Sequence, residues 1–327
     1  MKAITFSIII PAYKRLDQTI KTINLLEASK NINDFNFEII VSDDSPDLKL
    51  KKSLKKLPYS NIIYTRPKNH GVAANKNHGA RIAKGSILIF CDSDIEVEPL
   101  TIHGTLKALN DSKSAAGMGG QVFWKKNNKK TTERDRPRKE DRILKIKNTK
   151  YIEAIYSRYF ATYKDVFKKV GGYDEKVFNY RGEGSDLSIR YWQAGFPLTY
   201  EPKIKVFHVY EAPDSVALRK THPEFGIAKD YFLLAYKYKM LNTDFVNFSK
   251  TIETNFTIKN IGHLRLLQGI AENLDFICTS TKIINTQKLK PKYNFKFLEI
   301  FSDKPLLLKC LNNAETKLHH LKQTKTI

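Results

Sequence analysis

Asp92-Ser93-Asp94 stands directly behind the apolar run Ile87-Leu88-Ile89-Phe90, with Glu96 and Glu98 close after it. Carboxylates on alternate residues at a strand end are hard oxygen ligands, suited to Mg²⁺ or Mn²⁺ rather than to a soft metal. A divalent ion held there bridges a diphosphate and neutralises charge that develops as a nucleoside diphosphate departs. A second acidic pair, Asp43-Asp44, follows the run Phe37–Val41. A carboxylate at that place accepts from a base imide N–H or a ribose hydroxyl. Each pair alone also reads as a solvated strand end or a capping loop. Two such pairs in a chain of formal net charge +22 favour a ligand site.

The elements that must position these acids are legible as alternating patterns. Residues 4–10, 37–41, 61–65 and 86–90 read as buried strands. Between them, Leu16, Ile20, Ile23 and Leu26 recur at helical spacing, and the small-residue stretch 73–83 reads as a second helix. Strand and helix in alternation predict an α/β fold, a mostly parallel sheet with helices on both faces. Such a sheet binds ligands beyond the carboxyl ends of its strands, and there the polar residues collect. Further on, residues 181–196 read as a helix ended by Gly195, and 203–210 as a strand with His208 near its end. From about Pro223 the pattern turns helical. The expected organisation is a domain over 1–215 and a mainly helical C-terminal subdomain over 216–327.

Composition bounds the function. Residues 125–150 hold twelve Lys/Arg against four acids and read as a mobile basic loop facing something anionic. That stretch contains no Tyr, Trp or Phe, so the base-stacking side chains of a single-strand nucleic-acid binder are missing and no nucleic-acid partner is expected. Cys91, Cys278 and Cys310 are far apart and lack metal-ligand spacing, which points to a reducing compartment. No run reaches the ~18–20 apolar residues of a membrane span. The expected location is cytoplasmic, in solution or peripheral on the inner face of a membrane.

The segments FSIIIPAYKR, FEIIVSDDSPD, NHGVAANKNHGARIAKGSILIFCDSDIEVEP, KKVGGYDEKVF, GEGSDLSIRYWQAGF and VFHVY occur in this order over residues 4–210. Together they resemble glycosyltransferase family 2, with its Rossmann-like GT-A nucleotide-sugar fold. The resemblance implies a metal-dependent, inverting transfer from a nucleoside diphosphate sugar, UDP before other nucleotides, to a glycan, lipid-linked or peptide acceptor. By position it implies that Pro11, Tyr13, Asp43 and Asp44 line the base pocket, with Lys76 near the nucleotide or diphosphate. Asp92 and Ser93 would lie at the donor. Asp94 would ligate Mn²⁺ or Mg²⁺ directly, with Asp92 and His208 as further metal contacts. An anionic membrane surface is a further expected partner.

One departure matters. The family pattern has Gly-Glu-Asp before the helix resembling DLSIR, its Asp being the usual base, whereas this chain has Gly182-Glu183-Gly184. Glu183, expected in a Gly-flanked turn before the helix, is the first candidate for the base. Asp186 is the second, although four residues before Arg190 it also suits an ion pair along one helix face. Two alternatives stay open: a catalytically impaired sugar-nucleotide binder, and a sugar-phosphate nucleotidylyltransferase. The latter is disfavoured because no Gly-rich loop follows the first strand.

Overall fold

The structure, a computed structural model, describes residues 5–112, 115–126, 129–137, 143–176, 182–210, 313–316 and 318–319. Its first half alternates as expected. Strands β1 (Phe6–Ala12), β2 (Phe37–Asp43), β3 (Ile62–Thr65) and β4 (Ile87–Cys91) are interleaved with helices α1 (Leu16–Glu27), α2 (Lys49–Leu54) and α3 (Val72–Ile82). These strands run parallel in the order β3-β2-β1-β4. Helices cover both faces, which is why β1 and β2 are buried at every position. Even the polar members are satisfied. Ser7 donates to Glu38 at 2.6 Å, and Glu38 and Ser7 accept the Lys84 and Gly85 amides. Glu38 is therefore a structural acid, spent on the turn that enters β4.

The second half is mixed. Strands β5 (Ile95–Val97), β6 (Gly117–Lys126), β7 (Lys129–Arg136), β8 (Ile143–Ile146), β9 (Thr149–Ile152), β10 (Tyr159–Tyr163) and β11 (Leu198–Tyr210) accompany α4 (Thr101–Asp111), α5 (Lys164–Lys169) and α6 (Glu183–Gln193). The sheet continues β4-β10-β6-β11-β9-β8, with β10 antiparallel to both neighbours and β6 parallel to β11. Short β5 pairs antiparallel with β11, setting Ile95 opposite His208. Helix α3 lies close on β1: a Cβ at Gly79 would fall 2.5 Å from Ile9 Cγ2, so only glycine fits without a shift. That contact seats Lys76 one turn away beneath the strand ends.

The stretch expected to be a mobile basic loop is, where described, sheet. Strand β7 pairs antiparallel with β6, and β8 with β9 across a turn in which Lys147 adopts φ 52°. Lys126 pairs with Glu133 across β6 and β7, and Lys130 of β7 pairs with Glu98 beyond β5. Edge strands rich in lysine resist pairing with other chains, so a high charge density there fits sheet as well as it fits loop. The helical pattern expected from about Pro223 lies outside the described residues except at 313–316 and 318–319, which are helical. Among the described residues no helix is long and apolar enough to cross a membrane.

Candidate active site

Side chains that meet at the site come from opposite ends of the domain. The β5–β11 pairing and a hydrogen bond from the Val209 amide to the Asp94 carbonyl (2.9 Å) hold Asp94 alongside His208, 114 residues away in sequence. His208 Nε2 lies 3.0 Å from Asp94 Oδ2. The Arg15 guanidinium pairs with the same oxygen, and Arg158 touches the His208 ring. Burial alone would raise the Asp94 carboxyl. The hydrogen bond and charge of His208, with the charges of Arg15 and Arg158, override it and hold this group well below the usual carboxylate range.

Asp92 is placed differently. Its amide donates to the Arg158 carbonyl at 2.8 Å, and its Oδ1 sits 3.0 Å from Lys76 Nζ in an ion pair without hydrogen-bond alignment. Burial pushes the Asp92 carboxyl up, the Lys76 charge opposes this, and the Asp94 charge adds to it. Ser93, expected at the donor, is buried, and its carbonyl accepts from Thr22 Oγ1 at 3.1 Å.

Lys76 is fully buried. Besides Asp92 its ammonium meets Ser157 O at 2.8 Å, Ser157 Oγ at 3.2 Å and Glu183 Oε1 at 3.7 Å. Ser157 Oγ donates to Glu183 Oε1 at 2.6 Å. Glu183 is the first residue of α6 rather than a residue before it, because Gly182, at φ 76°, takes the N-cap position. An acid in the first turn of a helix is favoured by the helix dipole.

Asp186 pairs with Arg190, one turn further along α6. It is fully buried, and Arg190 Nε and Nη2 donate to its Oδ2 at 2.9 and 2.6 Å. Gly184, where the resemblance leads one to expect the base, packs against the chain. A Cβ there would lie 3.1 Å from Ile155 O and 3.2 Å from Ser157 N, so these neighbours would have to give by a few tenths of an ångström.

The Asp43-Asp44 pair forms a neighbouring cluster. Asp43 is buried, accepting from the Ser45 amide at 3.0 Å and the Tyr64 hydroxyl at 3.1 Å. Burial and the Asp43 charge push the Tyr64 phenol up to about 12. Asp44 accepts the Gly71 amide at 2.9 Å, and His70 Nδ1 lies 2.5 Å from its other oxygen. Pro11 is buried in β1, in register with Ser42, while Tyr13 beyond it is 48% exposed. Arg15, His70, Ser157 and Arg158 complete these clusters. Sequence reasoning gave them no individual roles, because a lone Arg, His or Ser carries no spacing signal.

Among the described residues no three His, Cys, Asp or Glu side chains form a ready metal cage. Asp94 and His208 offer one carboxylate and one imidazole side by side. That fits a divalent ion shared with a bound diphosphate, for such ions commonly take one or two protein ligands and complete their shell from phosphate oxygens and water.

A Rossmann-like sheet with acids at the carboxyl ends of β2 and β4, and a His returned beside them on β11, defines a GT-A domain. Residues 7–171 match the family described as Glycosyl transferase family 2, and the chain belongs to that family. An uncharacterised glycosyltransferase of Bacillus subtilis, YfnE, is 26% identical over an alignment covering 63% of this chain and 64% of that protein. Among solved structures, GalNAc-T7 with UDP, GalNAc and Mn²⁺ superposes with a TM-score of 0.56 at 17% identity, covering 84% of this chain and 58% of that one. The mannosyltransferase PcManGT from Pyrobaculum calidifontis, in complex with GDP-Man and Mn²⁺, gives 0.54 at 11% identity, covering 96% and 88%. At such identities the likeness establishes the GT-A fold. The chain spans less than two thirds of both YfnE and the GalNAc-T7 chain.

Proposed function

We propose that the protein transfers a sugar from a UDP-sugar to an acceptor hydroxyl of a glycan, lipid-linked or peptide substrate, with inversion at the anomeric carbon. One observation carries this reading: Asp94 meets His208 at the edge where Lys76 joins Asp92 to Glu183. Asp94 and His208 would hold a divalent cation, which when bound supplies Lewis-acid charge to a departing diphosphate. GalNAc-T7 and PcManGT were both solved with Mn²⁺ and a nucleotide or nucleotide sugar, UDP in the first and GDP-Man in the second. Asp43 and Asp44 accept from the base and ribose. Glu183 takes the proton that the acceptor hydroxyl loses as it attacks, and its place in the first turn of α6 suits an acid. Asp186 is committed to Arg190, which leaves Glu183 as the base.

The test is nucleoside diphosphate release from a panel of UDP- and GDP-sugars with Mn²⁺ or Mg²⁺. Release from a UDP-sugar that stops on chelation is the expected result. No release from any donor overturns the assignment. Gly184 at the family's base position favours a second reading, in which the chain binds sugar nucleotides without transferring them. Calorimetric binding of UDP with Mn²⁺, together with absent turnover, would mark that case.

A further inference from the structure

We infer that Ser157, backed by Lys76, is a positioning residue that fixes the Glu183 carboxylate for proton transfer; this rests on the reading of Glu183 as the base. Lys76 is completely buried, and a lysine is almost never buried unless paired. Its ammonium has three hydrogens and no acceptor. Ser157 O and Ser157 Oγ accept from it at 2.8 and 3.2 Å, and Asp92 Oδ1 pairs with its charge at 3.0 Å without hydrogen-bond alignment.

This arrangement sets the polarity of the next bond. Because Ser157 Oγ accepts from Lys76, its own proton is directed to Glu183 Oε1, 2.6 Å away. Lys76 Nζ reaches the same oxygen at 3.7 Å. Neither contact uses Oε2. A glutamate otherwise distributes over several rotamers, and a hydroxyl anchored from behind holds one of them.

The anchor is itself built in. Ser188 Oγ accepts the Ile155 amide at 3.0 Å, tying the 155–158 segment to α6. The Asp92 amide donates to the Arg158 carbonyl at 2.8 Å, tying it to the end of β4. Ser157 thus reports the position of one catalytic edge to the other. Neutralising Asp92 alone would require only Lys76. The short Ser157–Glu183 bond is the part that such a purely structural role leaves unexplained.

The experiment is a double-mutant cycle on donor turnover, reading kcat and KM separately, with thermal unfolding recorded for each variant. Ser157→Ala should lower kcat about tenfold, a part of the general-base contribution, with the donor KM unchanged. Ser157→Thr keeps the hydroxyl and should restore kcat to within about twofold. In a Glu183→Gln background, Ser157→Ala should cause no further loss, since it acts through that carboxylate. An unchanged kcat in Ser157→Ala, or a full additional tenfold loss in the Glu183→Gln background, overturns the inference. Wild-type kcat in Glu183→Gln alone overturns the base reading, whatever Ser157 does.

Discussion

Asp94→Asn removes one charge and almost no volume, so it separates electrostatics from packing. In the native site the Asp94 carboxylate accepts from His208 at 3.0 Å and pairs with Arg15, and its side chain is only 10% exposed. A hydrogen bond to a charged group is worth about 1.5–3 kcal/mol. Arg15 is 30% exposed, so solvent screening discounts its share, and the amide keeps one acceptor oxygen. The expected stability loss is about 1–2 kcal/mol, a drop of about 2–8 °C in melting temperature for a domain of this size. The loss of activity should be far larger. An anionic metal ligand contributes several kcal/mol to stabilising a departing diphosphate; about 4 kcal/mol corresponds to about a thousandfold in rate. The assay is Mn²⁺-dependent nucleoside diphosphate release beside a thermal melt. A folded Asp94→Asn with rates within about threefold of wild type would refute the metal assignment.

Arg190→Met removes the guanidinium that donates twice to the fully buried Asp186 and should cost about 3 kcal/mol in urea unfolding; a loss under about 1 kcal/mol would show that other groups satisfy Asp186. High pH probes the Tyr64–Asp43 bond. The folded Tyr64 phenol titrates near 12 against an ordinary value near 10, so the folded state holds the proton more tightly. Its stabilisation is therefore complete below pH 10 and lost as pH rises through about 12. In chemical unfolding, Tyr64→Phe should flatten the decline between pH 10 and 12, and an unaltered slope would contradict that coupling.

How much of this was legible depended on the range of the interaction. The parallel half of the sheet announces itself because strands buried on both faces are nearly continuous apolar runs, such as Ser7–Ile10 and Ile87–Cys91. The acids at their ends followed directly. Strand β5 did not, for three residues, Ile95–Val97, give no periodicity, and it is β5 that brings Asp94 to His208. The basic strands β7–β9 were misread as loop because lysine and arginine say little about conformation at a solvated edge. Glu183 was set one residue outside its helix, since Gly182 rather than Glu183 turns the chain. The Ser157–Lys76–Glu183 contacts join α3, the 155–158 segment and α6, and no local pattern encodes a meeting of three separate stretches.

The central claim is that one edge divides its labour, Asp94 and His208 at the diphosphate and Glu183 at the acceptor. Glu183→Gln tests it most directly when transfer and Mn²⁺–UDP affinity are measured on the same preparation. The account predicts transfer reduced by at least about a hundredfold, with UDP affinity within about twofold of wild type. Transfer at the wild-type rate, or a loss fully accounted for by weaker UDP binding, would contradict it.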